Sequence, residues 1–315
     1  MRDVELGTTG ERVSVLCLGA MNFGSRDDRE TSYRMLDMYY EAGGRFIDTA
    51  NAYARWFEGC QGGESETLLG AWMKERGNRD ELFLASKVGF PAPVDGLDRG
   101  LRPEQIARAA EGTLRRLGVE TLDLYYAHVD DRETPLEDTL QAFHRLVEGG
   151  KVRWLGASNY RVWRLERARC LAQALGWSPY CCMQQRYTYV RPRPSYSFFP
   201  HVSADRRMLD YSAEANVPLL AYSPLEGAAY TREDRDFPDP YRWPDTEARV
   251  KVLKAVAAEL GATANQIVLA WMMQSNPPVI PIIAASNEAQ MEENLGALDL
   301  DLSDDQMQRL NEAGF

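Results

Sequence analysis

Eight short apolar runs rich in β-branched and aromatic residues recur along the 315 residues, with a helix-length amphipathic segment in most of the gaps between them. The runs occupy 13–18, 45–48, 82–88, 122–128, 152–158, 181–184, 218–222 and 279–283. Strands separated by helix-length crossovers are parallel and need both sheet faces covered. Eight such units suggest a closed barrel rather than an open doubly wound sheet. The intervening apolar spacing is helical: Tyr33/Leu36/Tyr40, Leu68/Leu69/Trp72, Ile106/Ala110/Leu114/Leu117, Leu136/Leu140/Phe143/Val147, Val162/Leu165/Ala168/Ala172 and Val250/Leu253/Ala257/Leu260. Thr134-Pro135-Leu136-Glu137 predicts a helix with Thr134 as N-cap and Pro135 in its first turn, while Thr263 to Gln266 and Ser303 to Gln306 read as capping boxes. Gly43-Gly44 and Gly149-Gly150 suit helix stops. The residues before Val13 read as a hairpin turning at Thr9-Gly10, a lid over the barrel's N-terminal face.

The expected architecture is therefore one (β/α)8 TIM barrel domain over 1–315, of α/β class, with the hairpin lid at one end. Long loops at 54–63, 187–203 and 225–245 belong to the C-terminal face, where this architecture builds its binding sites. The net charge of −11 argues against nucleic acid or an anionic membrane as the main partner. No apolar stretch approaches a membrane span, and the N-terminal residues lack the apolar core of a signal peptide. The five cysteines form no CxxC pair and are odd in number, which suits free thiols and a cytoplasmic location.

The polar residues that fall at the ends of the expected strands are Asp48 with Tyr53 just beyond it, Lys87, His128, Ser158-Asn159 and Gln184. A tyrosine hydroxyl is a weak acid, with an ordinary pKa of about 10. A neighbouring ammonium is expected to lower that value, and a carboxylate keeps the ammonium charged and in place. A histidine at the same mouth would hydrogen-bond a substrate oxygen. The set contains neither a nucleophile–base pair nor metal-ligand spacing. It suits a reaction that needs one tuned proton at an oxygen, such as carbonyl reduction with a cofactor bringing the hydride. His128 followed by Asp130-Asp131 has no second strand-end histidine to complete a metal site, and His144 and His201 read as structural or exposed.

Several motifs carry a resemblance. Phe46-Ile47-Asp48-Thr49-Ala50-Asn51-Ala52-Tyr53 resembles the FIDTAxxY signature of aldo-keto reductases. So do Leu18 to Gly24, Ser86-Lys87-Val88, Asp123 to His128, Gly156 to Tyr160, Ala221 to Leu225 and Gln290 to Leu295, in family order along nearly the whole chain. The resemblance is to the short-tailed branch, which includes bacterial and potassium-channel-β-like members. It implies Asp48, Tyr53, Lys87 and His128 as a catalytic tetrad, with Tyr53 the general acid in reduction. It implies that Ser158, Asn159 and Gln184 hold the nicotinamide carboxamide and that Tyr222 stacks on its ring. Ser223, Pro224 and Leu225 would meet the pyrophosphate, with Ser286, Gln290, Glu293 and Asn294 at the adenosine end and Gly19 and Met21 lining the cofactor. Phe23, Trp56, Phe57 and Phe90 are the expected substrate wall, together with the 187–203 loop.

The segment after the eighth strand departs from the family pattern. It reads Pro281-Ile282-Ile283-Ala284-Ala285-Ser286-Asn287, and no Lys or Arg occurs from Ser275 to Leu300. The family's basic contact to an adenosine 2′-phosphate is thus missing, and a doubly charged phosphate loses its strongest partner there. NADP(H) remains narrowly favoured, with NAD(H) or dual use as the alternative and Arg232, Arg235 or Arg242 as substitute cations. The expected substrate is a small carbonyl or alcohol, of sugar or natural-product type. Two rival readings are a nicotinamide-binding regulator like the channel β subunits and a barrel hydrolase using the acidic pair after His128.

Overall fold

The computed structural model describes residues 1–314. Strands β1 (Asp3–Glu5) and β2 (Arg12–Ser14) form an antiparallel hairpin. Eight parallel strands then close a barrel: β3 (Cys17–Gly19), β4 (Phe46–Asp48), β5 (Phe83–Val88), β6 (Leu122–Ala127), β7 (Val152–Ser158), β8 (Tyr180–Arg186), β9 (Leu219–Tyr222) and β10 (Val279–Ile283). They pair in sequence order, and β10 closes the ring between β9 and β3. Around them lie α1 (Arg29–Glu41), α2 (Glu64–Arg76), α3 (Pro103–Leu117), α4 (Leu136–Glu148), α5 (Val162–Ala174), α6 (Arg206–Glu214), α7 (Pro244–Leu260), α8 (Ala264–Gln274), α9 (Glu288–Gly296) and α10 (Asp304–Glu312). This is the expected (β/α)8 barrel, with α7 and α10 added to the ring.

The first apolar run is divided. Val13 and Ser14 pair with the hairpin, and the barrel strand starts only at Cys17. Leu6 and Val13 are drawn to the barrel's N-terminal opening, where they pack with Phe46, Phe83 and Ile280, so the hairpin plugs that end. Around Thr134 the helix starts one residue later than its sequence implies. Pro135 is the N-cap of α4, and the Thr134 hydroxyl donates to Asp131 at 2.7 Å instead of capping. The capping boxes at Thr263 and Ser303 form as expected.

Alternation along each strand sorts side chains into two layers. Phe46, Phe83, Ala85, Leu124, Tyr126, Cys182 and Leu220 fill the barrel interior, whereas Ile47, Leu84, Tyr125, Met183 and Ala221 face the helices. Gly156 belongs to the inner layer because a Cβ there would lie 2.4 Å from the Tyr126 ring. The same parity, continued to the strand tops, turns Asp48, Lys87, His128, Ser158, Gln184 and Tyr222 inward at one end. All five cysteines are free.

Candidate active site

At the C-terminal mouth, Lys87 is fully buried and surrounded by oxygen atoms. Its ammonium is ion-paired with Asp48, donates to the Thr49 carbonyl at 2.8 Å and donates to the Tyr53 hydroxyl at 2.8 Å. Asp48 is equally buried, and its second oxygen accepts Gln184 Nε2 at 2.9 Å. The Tyr53 hydroxyl lies 3.5 Å from Asp48 Oδ1. His128 stands edge-on to Tyr53, with 6.0 Å between ring centroids, and its Nδ1 is buried without a partner.

Proton affinities at the mouth differ from the expectation in one respect. Burial, then the Asp48 carboxylate, pushes the Tyr53 phenol well above its ordinary value rather than below it. A buried phenolate beside a carboxylate is disfavoured, and in the protein alone these effects outweigh the ammonium. Burial also lowers Lys87, opposed by Asp48. Burial first, then the charges of Lys87, His201 and Arg55, hold His128 well below its ordinary value, so its imidazole is neutral. The mouth thus contains a protonated phenol and a neutral imidazole.

A buried network fixes the loop that presents Tyr53. The Thr49 and Ser65 hydroxyls are 2.8 Å apart, and Ser65 donates to the Ala20 carbonyl at 2.7 Å. Asn51 donates to Asp95, which the Arg116 guanidinium grips through both oxygens at 2.7 and 3.1 Å. Arg116 also donates to Glu66 at 2.7 Å, and Glu66 accepts Ser86 at 2.6 Å. Gly63 lets this guanidinium pass, since a Cβ there would come within 2.6 Å of the Arg116 side chain. Beyond Tyr53 the chain turns through Ala54, whose φ of 75° is left-handed. That conformation costs an ordinary residue about 1–2 kcal/mol, and here it directs Arg55 and Trp56 outward.

The residues proposed for the cofactor also gather at this end. Asn159 Nδ2 donates to the His128 carbonyl at 2.9 Å and to Ser158 Oγ at 3.1 Å. Asn159 Oδ1 accepts the Tyr222 hydroxyl at 2.8 Å. The Asn159 amide is therefore engaged within the protein, leaving the Ser158 hydroxyl proton and the Gln184 carbonyl oxygen to meet a carboxamide. Tyr222 and Ser223 are part-exposed, Leu225 is part-exposed, and Met21 is 42% exposed. Gly19 faces β10, where a Cβ would lie 2.8 Å from Ile282. Thr188 donates to the Pro224 carbonyl at 2.6 Å, fixing the turn after β9, in which Ser223 has a φ of 54°. These groups fit an amide-bearing ring laid against Tyr222.

At the expected adenosine end, Gln290 accepts the Ser286 backbone N–H at 2.9 Å and Asn294 donates to the Ala284 carbonyl at 3.1 Å. Glu293 accepts Asn265 at 3.2 Å. Asp27 borders Ser286, and one of its carboxylate oxygens is buried without a partner. Of the substitute cations, Arg232 pairs with Asp234, Arg242 donates to the Phe237 carbonyl, and Arg235 lies against Gly227.

Trp56, Phe57 and Phe90 surround the mouth: Trp56 is edge-on to Tyr53 at 6.2 Å and Phe90 edge-on to His128 at 4.7 Å. Phe23 does not join them. It is 1% exposed, folded into the core by the turn in which its N–H donates to the Ala20 carbonyl. His201, read from sequence as structural or exposed, instead lies over Phe90 at 5.6 Å and near Tyr222 at 6.1 Å. No local motif marks it, because only the folding of the 187–203 loop brings it to the mouth. His144 is a helix-packing residue near Ser178. Asp130 is held by Arg164, and Asp131 accepts the Leu101 N–H and the Thr134 hydroxyl. Neither is free to serve a hydrolase, and no group of three metal-binding side chains occurs among the described residues.

The family model described as the aldo/keto reductase family matches residues 15–314. The chain belongs to the aldo/keto reductase family. It is a nicotinamide-dependent oxidoreductase with a small-molecule substrate. Among similar proteins, an uncharacterized oxidoreductase, YrpG, of Bacillus subtilis is 31% identical, over 98% of this chain and 94% of its own. A norsolorinic acid reductase of Emericella nidulans is also 31% identical, over 96% and 79%. An aryl-alcohol dehydrogenase [NADP(+)] of Phanerodontia chrysosporium is 29% identical, over 96% and 83%. The crystal structure of a thermostable aldo-keto reductase, Tm1743, with the inhibitor epalrestat covers 99% of both chains, with a TM-score of 0.77 and 30% identity.

Proposed function

We propose that this aldo/keto reductase converts an aldehyde or ketone to an alcohol at the barrel mouth, with Tyr53 giving the proton. The observation that carries this reading is the Tyr53 hydroxyl held 2.8 Å from the buried Lys87 ammonium, with Asp48 behind and His128 beside it. When bound, the reduced nicotinamide supplies the hydride. Tyr53 keeps its proton until a carbonyl oxygen begins to gather negative charge. Lys87 then stabilises the phenolate left behind, and Asp48 holds Lys87 in place. The neutral His128 lends a ring N–H to the same oxygen and orients it toward Tyr53. Ser158 and Gln184 would hold the carboxamide, and the Tyr222 ring would support the nicotinamide. The aromatic wall suits an aryl or polycyclic carbonyl, consistent with the names of the norsolorinic acid and aryl-alcohol relatives.

The proposed cofactor is NADP(H), the form in the name of the Phanerodontia relative. One observation supports NAD(H) as a second reading: the cation-free 275–300 segment borders the Asp27 carboxylate, which would repel a 2′-phosphate. Titrating NADPH and NADH by fluorescence, then following their oxidation against aldehydes and ketones, tests both points. Binding of either followed by carbonyl-dependent oxidation is the expected result. Tight cofactor binding with no carbonyl turned over would instead favour a regulatory protein.

A further inference from the structure

Two exposed arginines sit on loops beside this mouth in a chain whose net charge is −11. Arg55 projects from the turn after Tyr53, and Arg99 from the loop between β5 and α3. Both are exposed, and among the described residues neither makes an ion pair or a hydrogen bond to a carboxylate. By contrast, Arg102, Arg132 and Arg193 on nearby loops are each paired with a carboxylate. Arg99 lies over the Phe199 ring at 5.4 Å, on the same loop as His201. Burial first, and then nearby positive charge, disfavours protonation of both histidines: Lys87, His201 and Arg55 act on His128, and Arg186 and Arg99 act on His201. Arg186 differs, because the buried Glu226 already neutralises it.

Aromatic groups line the mouth beside Tyr53. Trp56 adjoins Tyr53, and Phe90 bridges His128 at 4.7 Å and His201 at 5.6 Å. An aromatic ring entering between Trp56 and Phe90 with its carbonyl at Tyr53 would have its far edge near the rim. There Arg55, Arg99 and the His201 ring offer donors, and no carboxylate pairs with either arginine. We infer that the mouth selects aromatic carbonyl compounds that carry an anionic group, a carboxylate or an ionised phenol, at the edge away from the carbonyl. Arg55 and Arg99 attract and seat that anion, and His201 adds a neutral hydrogen-bond donor beside it. The arginines act on binding and leave the proton step to Tyr53, so they are specificity residues. This inference rests on carbonyl reduction as the protein's reaction.

The test compares para-formylbenzoate with its near-isosteric neutral amide, para-formylbenzamide, as substrates of the wild type, Arg55→Gln and Arg99→Gln. Separately, tryptophan fluorescence titrations compare binding of benzoate and benzamide, which cannot be reduced. The wild type is expected to favour the acid in kcat/KM, mainly through KM, and to bind benzoate more tightly than benzamide. Each substitution should reduce the acid-to-amide ratio by roughly two- to fivefold, the range of partly exposed ion pairs. Added salt should compress the ratio further. A ratio at or below one, or one that both variants leave unchanged, overturns the anionic selectivity while carbonyl reduction stands. If neither aldehyde is reduced, the reaction assignment fails, and the benzoate–benzamide comparison still decides whether the rim binds anions.

Discussion

Replacing Arg116 with leucine should destabilise the protein by about 3–5 kcal/mol, the usual cost of removing one partner from a buried charge pair. The structure places the change in that range. The arginine side chain is 10% exposed, and the Glu66 and Asp95 side chains it joins are 0% and 3% exposed. Leucine fills part of the space but leaves two carboxylates facing each other without a cation. Glu66, already raised by burial although Arg116 opposes the shift, will rise further in the variant. A carboxyl with a raised folded pKa binds more protons folded than unfolded between its two pKa values, so its stability falls as pH rises through that window. The deficit should therefore be smaller in mild acid than above neutrality. With an unfolding entropy of about 2.1 cal/mol/K per residue over 315 residues, the predicted loss is roughly 5–8 °C in Tm. Calorimetry at two pH values measures both effects. A Tm within about 1 °C of wild type at neutral pH, or a deficit that does not depend on pH, would refute the account of this network.

Two further outcomes follow from the same structure. Reduction measured from about pH 5 to about pH 10 should show no limb near 6.5, because burial, with Lys87, His201 and Arg55, keeps His128 neutral well below that value. The alkaline limb should belong to Lys87, whose ammonium is weakened by burial, while Tyr53 keeps its proton to higher pH. An acid limb centred at or above 6.5 would show that the imidazole is not shielded as described. Ser286→Arg should improve NADPH affinity relative to NADH by roughly tenfold, the lower end of a charge-assisted contact at this part-exposed site. Fluorescence titration reads the ratio, and no change would place the 2′-position away from Ser286.

Much of the site was legible because strand parity and strand ends are sequence properties. Phe46 and Asp48 share a face, as do Phe83, Ala85 and Lys87, so a reader who places the strands also places the polar side chains at the mouth. The first barrel strand was obscured because Val13 and Cys17 lie in one continuous apolar run. The chain changes partners at Val15 and Leu16, between the hairpin and the barrel, where composition carries no mark. Helix α6 is only nine residues long, too short for its apolar spacing to repeat, whereas α8 buries nine of its eleven residues and so shows no polar face. Tertiary placement accounts for the remaining differences. Phe23 belongs to a core-facing turn although its motif lies beside the mouth, and His201 reaches the mouth through a loop without regular structure. The sense of the Tyr53 shift depended on burial, which charge spacing alone does not show.

The most direct test of the central claim is Tyr53→Phe, assayed for carbonyl reduction and for cofactor binding on the same preparation. The ring remains between Trp56 and His128, but the hydroxyl 2.8 Å from Lys87 is lost, and with it the proton donor placed beside the buried ammonium. The predicted result is a fall in kcat of about a hundredfold or more, with the cofactor Kd changed by less than about threefold. A variant that kept wild-type turnover would contradict the assignment of Tyr53 as the proton donor.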